Sequence, residues 1–298
     1  MLTSQEKLCK KHFSAYFEDK VRKTIRQYIL LDAREHVGVA VSGGKDSLTV
    51  LSMLKKISND NPNVRLSAIA INEGIHGYRD ETVATAKNFC GKIGVELHIA
   101  SYEQEFGMPL DEMLKLLDVK PCTICGIFRR YLLNKKAKEL GCTKLATGHN
   151  LDDEAQSILM NQFRNDVKAS ARLGPKTGLR ERQGFVTRIK PLYLCTEKEV
   201  ATYAFLSGLL DKFIECPNVG KSYRAEVRDM LNDFENKFPG TKYAIVNSFL
   251  QSLPALKERF KDESLGICPE CGEPSAKGTC NACKWASKLK AVHMAVAK

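Results

Sequence analysis

The most constraining stretch of this chain is His36-Val37-Gly38-Val39-Ala40-Val41, followed at once by Ser42-Gly43-Gly44-Lys45-Asp46-Ser47. Its first half is short, apolar and β-branched, the pattern of a buried strand. Paired glycines then favour a sharp turn, and Leu48 to Ile57 returns to the apolar spacing of a helix. Strand, glycine turn and helix in that order aim backbone N–H groups and the positive end of a helix at one point, which makes an anion cradle. Ser42 and Ser47 add hydroxyl donors and Lys45 adds charge. The spacing meets neither the Walker A pattern nor the GxGxxG dinucleotide fingerprint. The plain alternative, a Gly-Gly turn with no ligand, leaves Lys, Asp and two Ser within six residues unexplained.

The alternation continues. Strands are expected at Val64 to Ile71, Val95 to Ala100 and Lys144 to Thr147, with helices near Arg79 to Ile93 and Phe128 to Leu140. Strands separated by helices imply right-handed βαβ units, hence an α/β fold with a parallel sheet covered on both faces. Ligands bind such sheets at the carboxyl ends of the strands, where Ser42 to Ser47 and Gly148-His149-Asn150 both fall. Leu8 to Leu30 reads as a helix on the domain's edge. After about residue 195, Glu197 to Leu210 and Tyr223 to Phe260 read as helices broken at Pro217, Pro239 and Pro254. The division expected is a helical segment at 1–30, an α/β domain at 31–195, a helical subdomain at 196–262 and a metal-binding module at 263–298.

No apolar run reaches the roughly 18 residues of a membrane helix, and Met1 to Lys7 mixes acid and base where a signal peptide needs an apolar stretch. These features predict a soluble cytoplasmic protein with no membrane contact. The 46 Lys plus Arg against 35 Asp plus Glu give a net charge of +11, which favours a polyanion such as nucleic acid, although many basic proteins bind none. In a reducing compartment eleven cysteines point to metal binding or catalysis rather than disulfides. Cys268-x2-Cys271-x8-Cys280-x2-Cys283 has the spacing of two knuckles closing a tetrahedral Zn2+ site, structural because four ligands leave no open position. Cys9-x2-His12 is a possible half of a second zinc site, or a pair of packing residues on one helical face.

Ser42 to Ser47 after an apolar strand resembles the PP-loop of the ATP pyrophosphatase superfamily, whose members cleave ATP between the α and β phosphates. That resemblance implies ATP contacts at Ala40, Ser42, Gly43, Gly44, Lys45, Asp46, Ser47, Ile71 and Gly148. Thr147-Gly148-His149-Asn150-Leu151-Asp152-Asp153-Glu154 resembles the second signature of the superfamily. There Asp153 would hold Mg2+ or orient ATP phosphates, while the alternative is that these acids only complement the helix dipole. His149 is a lesser candidate for an ATP contact.

Pro121-Cys122-Thr123-Ile124-Cys125, with Glu215-Cys216-Pro217 some ninety residues later, makes the chain resemble the TtcA/TtuA tRNA thiolases. The similarity spans nearly the whole sequence and is nearest the archaeal and eukaryotic cytosolic type that makes 2-thiouridine. It implies a Rossmann-like PP-loop sheet with a helical subdomain and a C-terminal zinc ribbon. It also implies a 4Fe-4S cluster on Cys122, Cys125 and Cys216 with one iron free of protein ligand. A zinc site, or a redox CxxC with an unrelated Cys216, stays open as the alternative reading of these residues. By the same resemblance the reaction adenylates the O2 of a tRNA uridine, at the wobble position 34, and exchanges that oxygen for sulfur, releasing AMP and pyrophosphate. Cytidine thiolation and a different adenylating ligase or amidotransferase remain alternatives. A ubiquitin-like thiocarboxylated carrier and a homodimer are implied as partners, and Arg129, with Arg130 beside it, as stabilisers of developing negative charge, unless these are solvated helix residues. That thiolase type carries two cysteines upstream of its Cys-x2-His that would complete an N-terminal zinc site, and none precedes Cys9 here.

Overall fold

The computed structural model describes residues 7–179, 185–209, 214–219, 222–261, 266–275 and 278–296. Residues 1–6, part of the stretch on which the signal-peptide reading rested, lie outside the described residues. A leading helix α1 (Lys10–Gln27) buries Phe17, Val21, Thr24 and Ile25 along one face. The nucleotide-type alternation then runs β1 (Glu35–Ala40), α2 (Lys45–Asp60), β2 (Val64–Asn72), α3 (Arg79–Ile93) and β3 (Leu97–Ser101). Two short helices, α4 (Tyr102–Phe106) and α5 (Leu110–Leu116), lead to α6 (Pro121–Glu139), β4 (Lys144–Ala146), α7 (Leu151–Phe163) and α8 (Val167–Ala171). A pair of very short strands, β5 (Lys176–Thr177) and β6 (Thr187–Ile189), precedes α9 (Glu197–Leu206), α10 (Tyr223–Lys237) and α11 (Thr241–Arg259). The chain ends in β7 (Gly266–Ile267), β8 (Pro274–Ser275) and α12 (Asn281–Val296).

The main sheet has the order β3-β2-β1-β4-β6-β5. It is parallel except for the antiparallel β5–β6 pair at its edge. β1 is central, and Val37 and Val39 have no exposed surface, as its unbroken apolar run requires. From β1 the chain builds outward through β2 and β3, then returns to place β4 on the other side of β1. That reversal opens a crevice at the carboxyl ends of β1 and β4. The residues after those strands, Ser42 to Ser47 and Gly148 to Asn150, stand at its mouth.

Three apolar clusters hold the layers. One joins α1, α2 and α9 to β1, a second joins α5, α6 and α12 to β2, and a third unites α7, α10 and α11. Several expectations need adjustment. α6 begins at Pro121 rather than near Phe128, because Pro121 takes the first helical position, where its missing N–H is no loss. Pro254 lies inside α11 without ending it, while buried Val246, Phe249 and Leu253 pin the helix before it and partly buried Leu256 packs on the same cluster after it. The break near Pro239 is real, with Gly240 at φ 97° starting the next helix. No described helix is long and apolar enough to cross a membrane.

Candidate active site

The loop after β1 is closed by its own serines. Ser42 N–H donates to Ser47 Oγ at 3.1 Å, and Ser47 Oγ donates to the Gly44 carbonyl at 2.9 Å. Gly43 has φ +85°, and a Cβ on it would stand 2.1 Å from the Thr82 carbonyl oxygen, so glycine lets the loop lie against α3. Gly148 does the same from the other side: its Cβ would fall 2.9 Å from the Ser47 nitrogen. Ala40 ends β1 opposite Ile69.

Lys45 Nζ reaches Asp46 Oδ2 and Glu197 Oε1, both at 3.0 Å. Asn150 caps α7 by a reciprocal pair of bonds with Asp153, at 3.1 and 3.2 Å, and also donates to Asp46 Oδ1 at 3.1 Å. The capping reading of this acidic turn and the ligand reading are therefore compatible: one Asp153 oxygen caps, and the carboxylate still faces a cavity of about 170 Å³ lined by Asp46, Glu197 and Arg224. Burial raises the Asp153 carboxyl to about 6, and the nearby Asp46 and Glu154 charges add to this against Arg224 and the Asn150 N–H. Two carboxylates opposed across a small cavity suit Mg2+, whose charge would relieve their repulsion. Asp152 is committed elsewhere, to Lys242 and to the Glu197 N–H at 2.8 Å.

His149 accepts from or donates to Thr147 Oγ1 at 2.9 Å. Its ring keeps exposed surface in the crevice, yet partial dehydration and repulsion from Lys190, Arg224, Arg129 and Arg188 hold it well below its ordinary value, hence neutral.

Cys122 and Cys125 occupy the first turns of α6, whose dipole favours thiolate there. Cys216 precedes the 3-10 turn Pro217–Val219, and Cys122 Sγ lies 3.7 Å from the Asn218 carbonyl oxygen. The three thiols are near enough for charge on Cys122 to act on Cys216 and charge on Cys216 to act on Cys125. Burial pushes the Cys125 and Cys216 thiols up, with Arg129 opposing in each case. All three thiols are free. Their ligand atoms do not close to the 4.8 Å mutual spacing of a single-ion group, which among the described residues the cysteines 268, 271, 280 and 283 show. Three free thiols set wider than a single-ion site leave room for a larger, multi-iron group.

Three residues that the sequence did not single out help join the loop to these cysteines. Buried Arg79 donates to the Ser42 carbonyl at 2.9 Å and the Ile71 carbonyl at 2.8 Å, and pairs with buried Glu73. Glu73 also faces Arg129, at 3.5 Å, and fully buried Tyr102 donates to the Cys125 carbonyl at 2.6 Å. Glu73 was findable as an acid just beyond a buried strand. Tyr102 and Arg79 owe their roles to tertiary packing. Arg129 and Arg130 part company: Arg129 turns to Glu73, whereas Arg130 faces a separate cavity.

In the C-terminal module, Cys271 Sγ and Cys280 Sγ are 3.6 Å apart. A zinc tetrahedron with Zn–S of about 2.3 Å has edges of about 3.8 Å. The Cys280 N–H donates to Cys268 Sγ at 3.2 Å. Against desolvation, N–H groups of Cys280, Cys271 and Glu270 pull the Cys268 thiol below its ordinary value. At the other end of the chain Cys9 Sγ and His12 Nδ1 are 3.2 Å apart and exposed, a pair of ligand atoms without further partners of that kind among the described residues.

A family model described as the PP-loop domain matches residues 14–232. The chain is 36% identical over 301 residues to a tRNA 2-thiolation protein of Haloferax volcanii, covering 96% of this chain and 94% of that one. It is 37% identical over 290 residues to a tRNA-5-methyluridine(54) 2-sulfurtransferase of Pyrococcus horikoshii, covering 97% and 90%. Among solved structures, the U34-tRNA thiolase of Methanococcus maripaludis with its [4Fe-4S] cluster superposes with a TM-score of 0.81 at 36% identity, over 96% of this chain and 91% of that one.

Proposed function

Since the chain belongs to the PP-loop family and, within it, to the tRNA 2-thiolation proteins, we propose that it is an ATP-dependent tRNA 2-thiolase making 2-thiouridine at position 34. The observation that carries the reading is the continuous link from Ser42 through Arg79, Glu73 and Arg129 to Cys125. It ties a phosphate loop to a triad of free thiols, a pairing that a plain adenylating ligase would not need.

The steps follow from the residues. ATP phosphates lie on the N–H groups of Gly43 to Ser47, with Lys45 released from Asp46 and Glu197 to meet them, and Asp46 and Asp153 hold Mg2+. The uridine O2 attacks the α phosphorus, the bond to the β phosphate breaks, and pyrophosphate leaves. Adenylation turns O2 into a leaving group. Sulfide then attacks C2 and expels AMP, while Arg129 offsets the negative charge gathering at the centre. When bound by Cys122, Cys125 and Cys216, a 4Fe-4S cluster supplies an iron free of protein ligand that can hold sulfide. A thiocarboxylated carrier protein is the proposed donor of that sulfide, and the working unit a homodimer in the cytoplasm. Cys268, Cys271, Cys280 and Cys283 hold one structural Zn2+; Cys9 and His12 hold none by themselves.

The test is the product pair. Incubation with tRNA, sulfide and ATP should yield AMP and pyrophosphate, and ADP with phosphate would reject the reading. Mass spectrometry of the tRNA should place 2-thiouridine at position 34; thiolation at 54, the position in the name of the Pyrococcus relative, would correct the site but leave the chemistry.

A further inference from the structure

A cavity of about 700 Å³ opens between α6, the β5–β6 pair and the cysteine knuckle, its lining distinct from the phosphate loop and from Cys122, Cys125 and Cys216. Ile127, Val186 and Ala282 give it apolar wall, and Phe185 stands on it with 39% of its surface exposed. Charged groups on its lining are Arg130, Arg172, Arg188, Lys284 and Glu273. Arg130 folds back over Gly126, where its Nη1 stands 3.0 Å from the place of an absent Cβ. Arg188 Nη2 donates to the Arg130 carbonyl at 3.4 Å.

Among the described residues neither Arg130 nor Arg188 pairs with a carboxylate. The acid lining the cavity, Glu273, is held by Asn134 and by Lys138 at 2.8 Å. Dehydration by the walls and then repulsion from Arg130 lower Arg188 to about 10, still a cation at neutral pH. Two guanidiniums gathered in one walled space, neither paired with a carboxylate among the described residues, favour an incoming anion, and their planar forks match phosphate oxygens. The volume exceeds what a lone phosphate fills and lies within the range of small-ligand pockets. An exposed aromatic ring at the same wall suits base stacking.

We propose that this cavity binds one nucleotide of the RNA substrate, its phosphodiester held by Arg130 and Arg188 and its base against Phe185. The proposal rests on the tRNA reading above and adds a site to it. Nucleotide capture here would fix the strand on α6 at Arg130, the residue after Arg129, so that one helix both grips the RNA and presents Cys122 and Cys125.

The test measures tRNA affinity of the metal-loaded full chain against salt concentration, with ATP affinity in parallel. Arg188→Gln and Arg130→Gln should each weaken tRNA binding about 5–10-fold and reduce the slope of log K against log salt by about 0.7. Arg188→Lys should keep the slope, and Phe185→Ala should lower affinity with the slope unchanged. ATP affinity should stay within about twofold in all four. Unchanged tRNA affinity and slope in Arg188→Gln would overturn the proposal, as would a loss of ATP affinity with tRNA binding intact, which would give the cavity to the free nucleotide. Should Arg188→Gln fail to fold, Arg130→Gln, at an exposed position, decides in its place. Wild-type protein that binds no tRNA would sink the functional reading itself, and the cavity with it.

Discussion

The two cysteine sets differ in how they are assembled. Cys268, Cys271, Cys280 and Cys283 come from sixteen consecutive residues, and backbone N–H groups in the same segment point at their sulfurs. Cys122 and Cys125 meet Cys216 from 91 residues further along, and their surroundings are Arg129 on their own helix with a buried acid and a tyrosine from two other parts of the chain. The first set is a local staple that needs only its own loop. The second exists only when the whole domain is folded around the phosphate loop. A set of four thiolates saturates a tetrahedral ion, whereas three leave an opening, so the lesson is that the non-local set has the geometry for chemistry.

The strongest test of that contrast is single substitution. Cys122→Ala, Cys125→Ala or Cys216→Ala should each lower thiolation by about a thousandfold or more, as losses of one member of a catalytic unit do. Iron content and colour in anaerobically prepared protein should vanish with it, while zinc content and ATP affinity hold. An iron-free Cys216→Ala protein with full activity would remove the distinction altogether.

The contrast also sets what could be read before the fold was known. The knuckle was legible because its ligands are neighbours in sequence, and the phosphate loop because one strand, one turn and one helix make it. The bond from Arg79 to Ser42 and that from Tyr102 to Cys125 were not legible, since both depend on α3 and α6 crossing particular strand ends. β5 and β6 were missed for a simpler reason: two and three residues cannot display a period of two. Cys122 and Cys125 were located, but their place on the first turns of a helix was hidden by an expected start seven residues later.

Zinc removal gives the next largest effect. Cys268→Ser with Cys271→Ser should abolish zinc binding and unfold the module at 266–296, since a segment this poor in core has little else to hold it. Thermal unfolding should show loss of an early transition or a drop in midpoint of several degrees, with iron content kept. Loss of iron together with zinc would mean the two sets are one cooperative unit.

pH separates the phosphate loop from both metal sites. In the folded chain the Asp153 carboxyl titrates near 6 instead of 3.8, so MgATP affinity should fall up to about tenfold per unit once pH drops below that value. Bound Mg2+ itself lowers the value, which moves the measured fall downward and never upward. The folded state holds more protons than the unfolded one between about 4 and 6, so this group's contribution lowers stability as pH rises through that window. With 35% of the side chain exposed the stability effect is small, and Asp153→Asn should flatten both profiles.

The smallest expected effect tests a polar joint between the regions. Asn134, buried on α6, accepts from the Val186 N–H at 3.0 Å and donates to Glu273 of the knuckle. Asn134→Ala leaves the Val186 N–H and one Glu273 oxygen without this partner, at a cost of about 1–3 kcal/mol. Lys138 still holds Glu273 at 2.8 Å, so zinc should remain bound. Cys122 and Cys125 lie three turns away along the same helix, and a regular α-helix does not transmit a lost side-chain bond over that length. The variant should therefore melt earlier by a few degrees with thiolation per folded molecule within about twofold of wild type. A loss of activity beyond tenfold in protein that keeps its zinc and iron would show that the local staple helps to set the geometry of the distant triad, and that the two cysteine sets are less separable than their construction implies.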